Sequence, residues 1–269
     1  MSRIVVKLGG DVLAGASLAL VARELAKVRA ADAARRIVVV HGGGPQATDL
    51  SRRLGLVPKI VGGRRVTDEA TLDVMKMVVA GQLNVDLCTA LRAVGVPAVG
   101  VSGTSGLVRA QKRPPRVVSG GGAEAVDFGF VGDVVGFDLD LLAALEGAGY
   151  VCVLACLGGD EAGGALNINA DVVASQLAAS LNADALIACT AVGGVLRDKD
   201  DPASRIARLT VAEARAAIAD GTVQGGMIPK LEEAFGPLEA GVAAVHVVGV
   251  GELARSLEAP GSAGTLLVG

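Results

Sequence analysis

The sequence predicts an α/β protein in which a mostly parallel sheet is covered by helices. Three observations carry that expectation. Short β-branched runs alternate with longer stretches of helical period along most of the chain. Aromatic residues make up only 2% of the 269 residues and Trp is absent, so Val, Leu, Ile and Ala must fill the core, as suits helices packed on a parallel sheet. The 38 glycines cluster in short runs after the strands, where backbone must come close to a ligand or another element.

The elements follow in order. Residues 3–8 (RIVVKL) read as the first strand, and residues 17–31 as a helix with apolar positions three and four apart. Residues 36–41 (RIVVVH) read as a second strand and 45–54 as a second helix; two more helices are expected at 67–80 and 83–94, with Thr67 or Asp68 as cap. A third strand covers 97–102. The stretch 107–136 is rich in Gly, Val, Arg and Pro, and predicts an antiparallel flap with short strands at 107–110, 116–118 and 131–135. Beyond it come a helix at 138–147, a strand at 150–154, a loop at 158–164, a helix at 169–181 and a strand at 185–190. Helices at 211–219 and 226–240 and a strand at 244–248 complete the reading. No linker splits the chain. It is expected to be a single domain, 1–269, with an N-terminal lobe of about 1–165 and a C-terminal lobe of about 166–269 sharing one sheet.

Composition excludes several function classes. The formal net charge is −3 with no basic stripe, which gives nucleic-acid binding no electrostatic support. Cys88, Cys152, Cys156 and Cys189 show neither metal-ligand nor redox spacing and read as small buried hydrophobes in a reducing compartment. No uninterrupted apolar run approaches the ~18 residues of a membrane span. Lys7 and Asp11 interrupt the apolar N-terminus, so it does not read as a signal peptide. These features point to a cytoplasmic protein without membrane or nucleic-acid partners.

Ligands of open α/β sheets bind beyond the carboxyl ends of the strands. That rule selects the loops at 9–10, 41–44, 157–169 and 191–194, all of which contain glycine. In KLGG, Lys7 sits near the end of a strand, and Gly9 and Gly10 let backbone N–H groups face phosphate oxygens. HGGGP ends an apolar strand and opens a helix with three glycines, a ready anion site. It has neither the dinucleotide spacing nor the Lys-Ser/Thr of a Walker A loop, and no nucleophile elbow is present. His41 in that loop is read as orienting it rather than acting as a base. GGRRVTD offers Arg64 and Arg65, one to grip a carboxylate through two parallel hydrogen bonds and one for solvent. NINAD places Asn167, Asn169 and Asp171 at a helix start, as cap or as substrate holder and lysine organiser. GGMIPK puts Lys230 in the first turns of a late helix.

The set contains cations, an aspartate and glycine N–H clusters, but no convincing base or nucleophile. Phosphoryl transfer to a carboxylate needs neither, because the acceptor is already ionised at pH 7. Alignment with the terminal phosphate and neutralisation of charge suffice. Mg²⁺ would bridge nucleotide phosphates with few protein ligands.

The motifs KLGG, VHGGGP, GGRRVTD, VDFGFVGDV, NINAD and GGMIPK, in this order from Lys7 to Lys230, resemble those of the amino-acid kinase family, and within it the N-acetylglutamate kinases. The ending GSAGTLL is similar too. The resemblance implies a three-layer α/β/α sandwich around an open, mostly parallel eight-stranded sheet, with the amino acid on the N-terminal lobe and ATP on the C-terminal lobe. It implies that Lys7 and Lys230 stabilise the transferring phosphoryl group and that Asp171 organises both. Gly9, Gly10, Gly43 and Gly44 would surround phosphates and the reacting carboxylate. Arg65 would grip the α-carboxylate with help from Asn167. The nucleotide would lie against Ala191, Val192, Gly193, Gly194, Val195 and Leu196 and near Thr222, Val223 and Gln224. The implied reaction is ATP-dependent formation of an acyl phosphate on N-acetylglutamate, in arginine biosynthesis. A kinase for a carrier-bound aminoadipate or glutamate, or a regulator without turnover, are the alternatives. The chain departs from the family pattern at Val85, Ser105, Ala191 and Gly193, and Ala191 touches the expected ATP pocket. It starts almost at its first strand, without the N-terminal helix of hexameric relatives, so a homodimer insensitive to arginine is expected.

Overall fold

The computed structural model describes residues 2–118, 124–191, 193–198, 201–223 and 227–269; of Pro202, Pro229 and Lys230 only the backbone is described. Strand β1 (Arg3–Leu8) leads to α1 (Gly15–Ala31), and β2 (Arg36–His41) to α2 (Gly44–Arg53). A hairpin of β3 (Ile60–Val61) and β4 (Arg64–Arg65) precedes α3 (Glu69–Met75), a π-helical stretch (Lys76–Leu83) and α4 (Asn84–Ala93). Then come β5 (Ala98–Ser102), β6 (Val108–Lys112), β7 (Gly132–Phe137), α5 (Leu139–Gly147) and β8 (Val151–Ala155). A second hairpin, β9 (Leu157–Gly159) and β10 (Ala165–Asn167), feeds α6 (Ala170–Ser180) and β11 (Ala185–Thr190). The chain finishes with β12 (Arg208–Thr210), α7 (Val211–Ala219), α8 (Met227–Glu239), β13 (Ala244–Gly249), α9 (Leu253–Glu258) and β14 (Thr265–Val268).

Eight strands form one sheet in the order β12-β14-β13-β11-β1-β2-β8-β5. Every neighbouring pair is parallel except β13 with β14. Central strands buried on both faces must be apolar throughout, and Val5, Val6, Val38, Val39, Val40, Val153 and Leu154 are fully inaccessible. β1 lies between β2 and β11, so Lys7 stands beside Val40 on one side and Ala188 on the other. A four-stranded sheet, β10-β9-β6-β7, caps the carboxyl end of β8 and contains the flap. A separate cluster of Val118, Phe128 and Val131 packs with Val61, Val66 and Val126, which joins the flap to the β3–β4 hairpin.

Several expectations change. The two helices expected at 67–80 and 83–94 form one continuous helical stretch, Glu69–Ala93, because the π-helical turns absorb the extra residue without a break. Asp68 caps it by accepting from the Thr71 N–H at 2.8 Å, whereas Thr67 is buried and bonded to the flap. This stretch is long and apolar enough to cross a membrane, but Leu72, Val74, Val78, Val79, Leu83, Leu87 and Leu91 are buried in the protein. The strand expected at 116–118 is an isolated bridge between Arg116 and Val126. Of the loop expected at 158–164, residues 160–164 are the turn of the β9–β10 hairpin and 158–159 belong to β9. β12, β14 and α9 lacked a sequence signal, being three, four and six residues long.

Candidate active site

Parallel register brings the ends of β1, β2, β8 and β11 to one edge of the sheet. Gly42 N–H donates to Leu8 O at 3.1 Å and locks the first two loops together. Lys7 Nζ lies 2.5 Å from Asp171 Oδ1, the two side chains being 13% and 25% exposed. Asp171 occupies the first turn of α6, where the helix dipole favours a carboxylate. Asn169 caps that helix by accepting from Asp171 N–H at 2.8 Å, so NINAD supplies both a cap and a charged group. Cys156 lies beside this pair in the cleft wall; burial pushes its thiol up to about 12, and burial does the same to Cys152 and Cys189. All four cysteines are free.

The three glycines of HGGGP differ. A Cβ on Gly43 would lie 2.6 Å from Leu83 Cδ1 and 3.1 Å from Val79 Cγ2, so packing demands glycine there. A Cβ on Gly44 would meet nothing within 4 Å. A Cβ on Gly10 would lie 2.8 Å from both Pro45 Cδ and Gln46 Oε1, and the Gly10 carbonyl accepts from Gln46 Nε2 at 2.6 Å. Gln46 Oε1 is buried without a partner. His41 is fully buried; Nδ1 donates to Gly42 O (3.1 Å) and Nε2 accepts from Asn84 Nδ2 (3.0 Å). Asn84 also donates to Val153 O at 2.9 Å. Burial pulls the imidazole down to about 4, so it is neutral and occupied at both nitrogens, as a loop-orienting residue should be.

Arg65 Nη2 donates to Gly44 O (3.0 Å) and Thr48 Oγ1 (2.7 Å), while its Nη1 is buried without a partner. Burial lowers its pKa from the ordinary value. An unpartnered buried guanidinium nitrogen calls for an anion. Arg64 is exposed, the solvated member of the pair. Asn167 Nδ2 donates to Thr67 Oγ1 at 3.0 Å, which leaves its amide oxygen available.

One cleft of about 470 Å³ collects Lys7, Gly9, Gly10, Gly43, Gly44, Arg65, Asn167 and Asp171, all expected from the sequence. Arg64, Arg113, Arg116 and Glu233 line it as well. Of these, Arg113, Arg116 and Glu233 had no local signal, since only the folded flap and α8 carry them there. A neighbouring cavity of about 330 Å³ between α6 and α8 shares Asp171, Val172 and Glu233 with it.

The expected nucleotide residues lie toward the C-terminal strands. Ala191 N–H donates to Asp11 Oδ2 at 3.1 Å, tying the loops after β1 and β11 together. Gly194 has φ +126, which favours glycine, and Val195 N–H donates to Thr265 Oγ1 at 2.8 Å. Val195 and Val223 are buried, Gly193 and Leu196 are half-buried, and Thr222 N–H donates to Asp220 Oδ1 at 2.8 Å. Val192 and Gln224 lie outside the described residues, as does the side chain of Lys230. The backbone of position 230 is in the first turns of α8, three residues before Glu233.

A sequence profile of the amino acid kinase family matches residues 2–249. The chain belongs to the amino acid kinase family. A protein of Anaeromyxobacter sp. (strain K) named acetylglutamate kinase is 57% identical over 273 residues, covering all of both chains. An acetylglutamate kinase of Sorangium cellulosum is 55% identical over 98% of this chain and 94% of its own length. One of Methanocaldococcus jannaschii is 43% identical over 78% and 71%. Among solved structures, N-acetylglutamate synthase from Neisseria gonorrhoeae, complexed with coenzyme A and N-acetyl-glutamate, superposes with a TM-score of 0.83 at 24% identity. This chain covers 59% of that longer protein. Carbamate kinase from Giardia lamblia bound to AMP-PNP superposes with a TM-score of 0.70 at 18% identity over 99% and 98% of the two chains. At these identities the two structures speak for the fold, and it is the α/β fold with a mostly parallel eight-stranded sheet that this amino acid kinase chain adopts.

Proposed function

We propose that the protein transfers the γ-phosphoryl group of ATP to the side-chain carboxylate of N-acetyl-L-glutamate, yielding N-acetylglutamyl 5-phosphate in arginine biosynthesis. The relatives named acetylglutamate kinase, at 55–58% identity over nearly the whole chain, support this reaction. The single structural observation that carries it is the cleft with the Lys7–Asp171 pair at one place and the unsatisfied Arg65 guanidinium at another. A dicarboxylate acceptor has two anions to place, and the cleft offers two cationic positions.

In this reading Arg65 grips the α-carboxylate, assisted by the amide oxygen of Asn167 toward the acyl N–H. The backbone at Gly43 and Gly44 holds the reacting carboxylate at the N-terminus of α2. Gly9 and Gly10 face the phosphates. Lys7, with Lys230 of α8, neutralises charge on the transferring group, and Asp171 holds the lysines in place. The carboxylate attacks phosphorus without a base, because it is ionised at neutral pH. His41 is not needed as a base and is not placed to be one. ATP would lie toward the β11 loop at Ala191–Leu196 and the stretch from Thr222. Its Mg²⁺ would be carried mainly by phosphate oxygens, and among the described residues no three metal-ligating side chains converge to offer a cage.

The lobes would divide accordingly, about 1–165 for the amino acid and 166–269 for ATP, and lobe closure would bring position 230 to the phosphate. We read the protein as a cytoplasmic homodimer. Leu54, Val57, Ile60, Met77 and Val85 are exposed on the N-terminal lobe and are the apolar residues such a contact would cover. Light scattering that returned a monomer or a hexamer would remove that part.

The reaction is tested by trapping acyl phosphate as the hydroxamate with N-acetylglutamate, N-acetylaspartate, glutamate and aspartate in parallel. Strong ATP-dependent turnover on N-acetylglutamate is expected. Absence of turnover on all four would reject the reading.

A further inference from the structure

The cleft carries more positive charge than its proposed acceptor uses. Arg64 and Arg116 line the same cleft as Arg65, and both are exposed at its mouth. Arg113 lines the same cleft and is buried, but Asp133 Oδ1 accepts from its Nε at 2.8 Å and its Nη2 at 2.6 Å. The Arg116 guanidinium has no hydrogen bond or ion pair to a described residue, and Arg64 donates only to Gly62 O at 3.3 Å. Of the other acids of the flap, Asp127 pairs at 3.9 Å with Lys112 and Glu124 is exposed. Two guanidiniums without a direct ion pair to a described residue therefore share one rim. Burial, then Arg113, then Arg64 lower the pKa of Arg116, and Asp133 works in the opposite direction.

The rim is held in place by structure of its own. Arg64 is on the β3–β4 hairpin and Arg116 on the flap, and the cluster of Val61, Val66, Val118, Val126, Phe128 and Val131 packs these two segments together. Arg116 N–H donates to Val126 O and Val126 N–H to Arg116 O, at 3.2 and 3.0 Å. Thr67, two residues beyond Arg65, bonds the flap through Phe128 O (2.9 Å) and Phe130 N–H (2.7 Å). Thus the carboxylate-gripping Arg65 and the two rim arginines form one assembly.

An amino acid held by its α-carboxylate at Arg65 has its α-nitrogen on the adjacent carbon, so the substituent of that nitrogen lies within the field of the rim. We infer that Arg64 and Arg116 are specificity-determining residues that read the charge on the α-nitrogen of the acceptor. A free α-ammonium is repelled, a neutral acyl cap is accepted, and an acyl cap with its own carboxylate is favoured. The inference rests on the phosphoryl-transfer reading above and extends it to a reason for an unacylated glutamate to be a poorer acceptor.

The test compares kcat/KM for glutamate, N-acetylglutamate and N-succinylglutamate, whose α-nitrogen groups carry charges of +1, 0 and −1. An acceptor too slow to turn over is compared by its Ki against N-acetylglutamate. With two solvent-screened charges, the unaltered protein should gain about five- to tenfold per unit of negative charge at low ionic strength, and less at about 0.5 M salt. The R64Q/R116Q variant should flatten this trend, so that ratios between acceptors converge whatever their size. The R52Q/R53Q variant, which removes two exposed charges from the end of α2, should keep the trend. An unchanged trend in R64Q/R116Q, or equal flattening in both variants, would overturn the inference. Failure of the unaltered protein to phosphorylate N-acetylglutamate would instead count against the reaction itself.

Discussion

Gly43→Ala and Gly44→Ala touch neighbouring residues of one loop yet have opposite expected consequences. At position 43 the new methyl would sit 2.6 Å from Leu83 Cδ1 and 3.1 Å from Val79 Cγ2, both on the buried face of the π-helical stretch. Neither neighbour can retreat far in a close-packed core, and overpacking of this kind costs about 1–3 kcal/mol. For a chain of this size that is a fall in Tm of roughly 2–12 °C. At position 44 the methyl meets no protein atom within 4 Å, and the residue is the first of α2, where Ala is at least as good as Gly. Tm should therefore be unchanged or slightly raised. The methyl would, however, enter the cleft where the reacting carboxylate approaches the helix N-terminus. Displacing an anion from one backbone donor costs about 10²–10³-fold in turnover. Differential scanning calorimetry and kcat/KM on N-acetylglutamate, measured on both variants, separate the two effects. Full kcat/KM in a normally stable Gly44→Ala protein would refute the placement of the acceptor at this helix end. An unchanged Tm for Gly43→Ala would refute the packing argument.

Lys230→Ala should lower kcat by about 10²–10³-fold with a much smaller change in the Kd for N-acetylglutamate, because its charge acts in the transition state; unchanged kcat in steady-state assays would remove it from the site. Arg65→Ala should mainly raise the KM for N-acetylglutamate, by about 10–100-fold for a lost charge-assisted pair, with kcat far less affected. Stability should fall on acidification below neutrality. His41 and His246 are held at about 4 in the fold, chiefly by burial, against 6.5 unfolded. The unfolded chain takes up those protons first, so their contribution is complete above about pH 6.5 and is lost between about 6.5 and 4. The two together give a slope approaching about 2.7 kcal/mol per pH unit, readable in urea midpoints from pH 7 to 5. A flat profile over that range would show that the histidines are not held neutral.

Much of the fold was legible because its centre is regular. β1, β2, β8 and β11 are short runs dominated by Val, Ile, Leu and Ala with glycine in the loop that follows, and a parallel sheet covered by helices is the arrangement that buries such runs on both faces. The edge was not. β12 and β14 are three and four residues long, and the places of β14 beside β13 and of β12 beside β14 depend on pairing across the sheet rather than on any local alternation. The π-helical turns were invisible for a similar reason, since their benefit is tertiary: Asn84 reaches His41 and Val153 from the end of that stretch. At the site, Lys7 and Asp171 were readable as motif members, and the packing of α6 on β1 is what brings them together. Arg113 and Arg116 carry no motif. They join the cleft only because the flap docks on Thr67 and on the cluster around Phe128.

The central claim is that an acceptor carboxylate oxygen becomes the bridge to phosphorus. N-acetylglutamate labelled with ¹⁸O in its side-chain carboxylate, incubated with ATP, Mg²⁺ and hydroxylamine, tests this directly. Hydroxylamine attacks the acyl carbon and releases phosphate with the bridging oxygen attached. The account predicts one ¹⁸O in each phosphate formed alongside hydroxamate. Phosphate without label would mean that water, not the carboxylate, receives the phosphoryl group, and would contradict it.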